Sequence, residues 1–182
     1  VNGRVKRGEQ GGPVAAEVDP FWAPYAQRNQ LFANDGRTFR DISAMNPGFC
    51  GAALVGRGLA VGDIDNDGDL DLLVTSTGGP AKLYRNVAPR AGHWLTVRVT
   101  DPSLGGRDAY GAELVVHADG KRYWRLANPG FSYLCSNDPR VHFGLAASTT
   151  FESIEVLWPD GTKQTFPGGL ADHAIELRKG PR

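Results

Sequence analysis

Apolar and polar residues alternate along most of this chain with a period of two, and no stretch carries a convincing 3.6-residue period. The pattern predicts strands. Trp94-Leu95-Thr96-Val97-Arg98-Val99 is the cleanest, followed by Ala112–Val116 and Arg122–Leu126 around an Ala118-Asp119-Gly120 turn. Ile154–Trp158 pairs naturally with Lys163–Phe166 across Pro159-Asp160-Gly161, and Ala174–Leu177 closes the series. Nearer the start the runs are shorter. Leu31–Ala33 and Thr38–Ile42 flank Asn34-Asp35-Gly36, residues that tolerate positive φ, and so predict a hairpin with Phe39 turned inward. Gly58–Val61, Leu70–Thr75 and Lys82–Arg85 predict three further strands. Residues 1–28 hold Gly11-Gly12-Pro13, Pro20 and Pro24 and predict an extended segment, with Phe21, Trp22 and Tyr25 as an apolar clasp on a neighbouring surface. Pro89 and Gly92 interrupt the pattern. The expected organisation is therefore an extended segment (1–28), a first β unit (29–88) and a second β unit (92–178) built as a sandwich or small barrel. The fold class is all-β.

Composition agrees with this. Hydrophobic residues make up 41% of the 182, enough for a core, and 24 glycines and 12 prolines suit short strands joined by tight turns. Twenty basic residues balance twenty acidic ones, so no basic surface for nucleic acid is indicated. The basic groups Arg4, Lys6 and Arg7 at one end, and Arg178, Lys179 and Arg182 at the other, read as solvated tails. No run of about 18 apolar residues predicts a membrane span. No signal peptide is visible at Val1-Asn2-Gly3, a start that suits a processed chain or a piece of a longer one. Cys50 and Cys135 form no C-x-x-C pair, which leaves one disulfide or two buried thiols. A bridge would tie the two units together.

The densest chemistry is Asp63-Ile64-Asp65-Asn66-Asp67-Gly68-Asp69-Leu70-Asp71. Five aspartates in nine residues repel one another unless a hard cation joins them, and calcium takes oxygen ligands. Asp63, Asp65 and Asp67 stand at positions 1, 3 and 5, where carboxylates converge as the chain curls. Gly68 permits the sharp turn, Asp69 can offer its backbone carbonyl, and Asp71 is the natural last ligand. The start matches an EF-hand loop, but position 12 is Val74, and apolar strands replace the flanking helices. A calcium loop between two strands is the expectation. A plain acidic turn and a magnesium site are the alternatives.

Gly58-Leu59-Ala60-Val61-Gly62-Asp63 through Leu72-Leu73-Val74, continued by Leu83-Tyr84-Arg85-Asn86, resembles an FG-GAP or VCBS repeat. The resemblance implies a propeller-blade-like unit, with Asp63, Asp65, Asp67 and Asp71 as side-chain calcium ligands and Asp69 contributing its carbonyl. The hairpin from Leu31 to Ile42 resembles outer strands of a preceding repeat. Further on, His93-Trp94-Leu95, Gly111-Ala112, Ser132-Tyr133-Leu134, Asp138–Leu145 and Ile154–Gly161 resemble the ASPIC/UnbV domain. Proteins of this cartilage acidic protein-like type are secreted or surface-exposed, usually carry several repeats, and are associated with adhesion or matrix interaction. Here about one blade is present, so its exposed edges call for neighbours, from the second unit or from other copies by strand addition.

No G-x-S-x-G elbow, H-E-x-x-H or P-loop is present, and His93, His117, His142 and His173 are scattered. His142, with Asp138 and Arg140, falls in a loop whose polar residues are expected to hold a turn. Trp94, Trp124 and Trp158 lie on alternating strands and are expected in the core. The expected function is a calcium-stabilised extracellular or cell-surface adhesion module without catalytic activity. Its partner is a protein or glycan, or copies of itself. The alternatives are a subunit of an extracellular filament and a carbohydrate-binding or glycan-acting domain.

Overall fold

Short strands follow one another along the chain, as the two-residue period requires. A computed structural model describes residues 14–181. Arg4, Lys6, Arg7, the Gly11-Gly12-Pro13 stretch and Arg182 lie outside the described residues. The chain divides into two units. The first takes the described part of Val1–Ala60 with Asp71–Arg85 and Ser132–Cys135; the second takes Val61–Leu70, Asn86–Phe131 and Ser136 onward.

In the first unit β1 (Gln27–Arg28) pairs antiparallel with β4 (Ala53–Leu54). The predicted hairpin forms from β2 (Phe32–Asn34) and β3 (Phe39–Asp41), with Phe32 opposite Asp41. Its turn is held by Asp35, whose carboxylate accepts the backbone N–H groups of Arg37 and Thr38 at 2.8 and 2.7 Å. Phe39 is not inward. No layer among the described residues covers β3, and Phe39 is 72% exposed. β5 (Gly56–Gly62), β6 (Asp71–Ser76) and β7 (Lys82–Tyr84) form a three-stranded sheet in that order, which gives the unit its blade-like character. The segment after Val14 is only partly extended: Ala23–Tyr25 is a 3-10 turn. Trp22 and Tyr25 do act as a clasp, packing on Val18, Leu54 and Val55, while Phe21 stays exposed, edge-on to Trp22.

Cys50 ends the short helix α1 (Pro47–Cys50) and is buried. Cys135 belongs to the same unit, its sulfur lying over Gly58 of β5. Both thiols are unpaired. The expected bridge is thus not formed, and both cysteines lie in the first unit rather than one in each.

The second unit is a two-sheet sandwich, not a closed barrel. β8 (His93–Asp101) is central to one sheet, with β9 (Arg107–Asp108) paired to its end. β10 (Glu113–Ala118), β11 (Lys121–Leu126), β13 (Thr150–Leu157) and β14 (Lys163–Leu170) form an antiparallel sheet in the order β11-β10-β13-β14. β12 (Val141–Ala146) and β15 (His173–Arg178) flank β8, β12 antiparallel and β15 parallel to it. β12 is where sequence reasoning expected a loop. Val141, Phe143 and Leu145 alternate inward there and join Leu95, Val97, Leu114, Val116, Ile154, Val156 and Trp158 in one core. Among the described residues no helix is long and apolar enough to cross a membrane.

Candidate metal site

The acidic loop connects β5 to β6. Asn66 (φ +58°) and Gly68 (φ +92°) take left-handed backbone, which bends the chain back on itself. At Gly68 a side chain is also excluded by space, since a Cβ would come within 2.1 Å of the Trp94 ring. The bend lets Asp63 accept the backbone N–H groups of Asp67 (3.1 Å) and Gly68 (3.0 Å). Oxygens of Asp63, Asp65 and Asp71 then lie within 4.8 Å of one another. Asp63 and Asp71 are buried, and Asp65 is exposed.

Of the five aspartates singled out in the sequence, three therefore converge. Asp67 accepts the N–H of Asp69 at 2.9 Å, and its carbonyl accepts a hydrogen bond from Arg90. The Asp69 carboxylate lies 3.5 Å from the same guanidinium. The converging set consists of carboxylate oxygens alone, the donor type that hard divalent cations take. These residues fit a metal ion such as calcium.

Around the loop stands a set of residues that sequence reasoning did not connect to it. Arg140 donates from Nη2 to the Asp63 carbonyl (2.8 Å) and from Nη1 to Asn66 Oδ1 (2.6 Å). Its guanidinium is oriented by the Asp138 carboxylate, which accepts from Nε at 2.9 Å and from Nη2 at 2.5 Å. Hydrogen bonding to Asp138 holds the Arg140 pKa above its ordinary value. His142 Nε2 lies 2.8 Å from the Gly68 carbonyl; a carbonyl only accepts, so this nitrogen carries the proton. The ring stacks on Trp94, 12° from parallel. Val61, just before the loop, donates to Asn137 Oδ1 (2.8 Å) and accepts from the Asp138 N–H (3.0 Å). The only hint in the sequence was the density of polar residues in Asn137–His142.

The four histidines do not converge. His93 pairs with Asp172 and His117 with Glu155, while His173 bonds the Ala171 carbonyl. Trp94 and Trp158 are buried as expected. Trp124 is not: it is 53% exposed on β11, an edge strand, and its Nε1 donates to Glu113 at 3.0 Å.

Comparison with known proteins matches residues 17–74 to the FG-GAP-like repeat family and residues 103–182 to the ASPIC and UnbV family. The chain joins an FG-GAP-like repeat to an ASPIC/UnbV domain. It is similar to proteins named cartilage acidic protein 1. The one from Homo sapiens is 35% identical over 177 residues, covering 88% of this chain and 26% of that protein. Those from Mus musculus and Xenopus tropicalis are 34% and 32% identical, covering 80% and 87% of this chain. The chain spans about a quarter of the length of these relatives. No solved structure matches it. The acidic loop falls inside the FG-GAP-like match up to Val74, and Arg140 and His142 fall inside the ASPIC/UnbV match.

Proposed function

We propose that this chain is an extracellular structural or adhesion module, without catalytic activity, whose acidic loop is stabilised by one calcium ion. The observation that carries the reading is the convergence of Asp63, Asp65 and Asp71, two of them buried, in a loop fixed by hydrogen bonds. Three carboxylates at that separation favour a bound dication. The shared name of the relatives points to cartilage and supports an extracellular setting. Isothermal titration with calcium and with magnesium tests the site. One-site binding with calcium preferred is expected. Absence of calcium heat, together with a melting temperature indifferent to chelator, would sink the proposal.

A second reading, contact with a glycan at the cell surface, is favoured by Trp124. On one face of β11 it stands between Arg122 and Leu126. Across β10 that face holds Glu113, Val115 and His117, and His117 is paired to Glu155 of β13. An exposed indole fixed by a carboxylate and bordered by paired polar groups suits stacking on a pyranose ring. Quenching of Trp fluorescence by soluble polysaccharides, lost in Trp124→Ala, tests it; an unchanged spectrum with every polysaccharide tried counts against it.

A further inference from the structure

We propose that Arg140 is a positioning residue for the calcium loop and sets its affinity, a role that rests on the calcium reading above. The tethers fall at Val61, Asp63, Asn66 and Gly68, every two or three residues through the bend. All of them come from Asn137–His142, more than 70 residues away in sequence. Arg140 makes two of the four, at the two residues that bracket Asp65. One planar fork bridges a backbone carbonyl and a side-chain amide while its remaining edge is locked by Asp138. Hydrogen bonds within the loop hold the Asp63 carboxylate. The Arg140 fork adds a hold on the backbone on both sides of Asp65, against the mutual repulsion of the carboxylates. A loop held in its binding geometry does not have to be ordered by the ion, and affinity rises accordingly.

The sign of the effect separates this role from two simpler ones. The Arg140 charge repels a cation, so an electrostatic role alone predicts that Arg140→Met binds calcium more tightly. A purely structural role predicts a lower melting temperature with an unchanged dissociation constant. A positioning role predicts weaker binding, of the size seen when partners of metal ligands are removed, about 10- to 100-fold.

Titration calorimetry of the full chain with calcium chloride, well below the melting temperature, measures this. Arg140→Met is expected to raise the dissociation constant about tenfold or more, and Arg140→Lys, which cannot bridge both acceptors, to fall between it and the wild type. Asn66→Gly keeps the left-handed backbone, removes one acceptor and is expected to weaken binding severalfold even if Arg140→Met fails to fold. His142→Gln retains a donor toward the Gly68 carbonyl and is expected near wild type; His142→Phe is expected to bind more weakly. Unchanged or tighter binding in Arg140→Met and Asn66→Gly, with the wild type binding calcium, overturns this proposal alone. No binding by the wild type overturns the calcium reading and this proposal with it.

Discussion

Replacing Asp65 by Asn separates the two effects that the acidic loop combines. Without an ion, three carboxylates lie within 4.8 Å of one another. At that distance a pair of unit charges repels by about 3.5 kcal/mol at an effective dielectric of 20, and by about 0.9 kcal/mol in water. Asp65 is exposed, so the lower figure applies to each of its two pairs, and Asp65→Asn relieves about 2 kcal/mol in the ion-free protein. For a chain of this size that corresponds to a melting temperature about 4–8 °C above wild type in chelator. With calcium the balance changes. Extracellular calcium modules bind with dissociation constants of about 0.1–1 mM, so 10 mM calcium stabilises the wild type by about 1.4–2.7 kcal/mol, or about 3–10 °C. The variant has lost a ligand and gains little of this. Differential scanning fluorimetry of both proteins, in chelator and in 10 mM calcium, reads all four values. The variant's advantage in chelator should shrink or invert in calcium. Equal calcium shifts in the two proteins, or a variant less stable than wild type in chelator, would refute the reasoning.

Three further outcomes follow from the geometry. Gly68→Ala combines a left-handed backbone with a Cβ about 2 Å from the Trp94 ring, so urea denaturation should show a loss of about 3 kcal/mol or more, with or without calcium; a loss under 1 kcal/mol would mean that the loop and ring do not meet this closely. Trp158→Ala should cost about 3–5 kcal/mol because the ring is fully buried, whereas Trp124→Ala should cost under about 1 kcal/mol; similar urea midpoints for the two would contradict their placement. Asp101 has its pKa lowered from 3.8, chiefly by the Ser103 hydroxyl and then by Lys179. Its contribution is complete above 3.8 and is lost as pH falls through the lowered value, so urea midpoints should drop in that acid range and Asp101→Asn should flatten the drop. Lys179, raised from 10.5 by Asp160 and Asp101, contributes fully below 10.5 and loses that contribution as pH rises through the raised value, so the pair adds no pH dependence near neutrality.

Much of the fold could be read from the sequence because strands are local objects. β8, β10, β11, β13 and the β2–β3 hairpin each declare themselves within six or so residues by alternation and turn chemistry. Alternation states which residues share a face, and it does not state whether anything covers that face. Phe39 and Trp124 were misplaced for this reason: each alternates correctly, but β3 has no covering layer and Trp124 lies on the outer side of an edge strand. β12 escaped notice for a different reason. His142 and Gly144 break its apolar run, and its identity comes from pairing with β8, more than 40 residues earlier. The parallel pairing of β15 with β8 is non-local in the same way.

The same distinction divides the candidate site. The two-residue spacing displayed five aspartates within nine residues, and the bend brings together Asp63, Asp65 and Asp71 of these but not Asp67. The long-range hold on the bend is contributed by Asn137–His142. No spacing rule links Arg140 to Asp63, because the interval between them contains β6 to β11, and its length reflects those strands rather than the loop. The loop residues 61–70 and the Asn137–His142 segment that fixes them are parts of one compact unit, so an ion held by Asp63 and Asp65 would stabilise that unit by mass action.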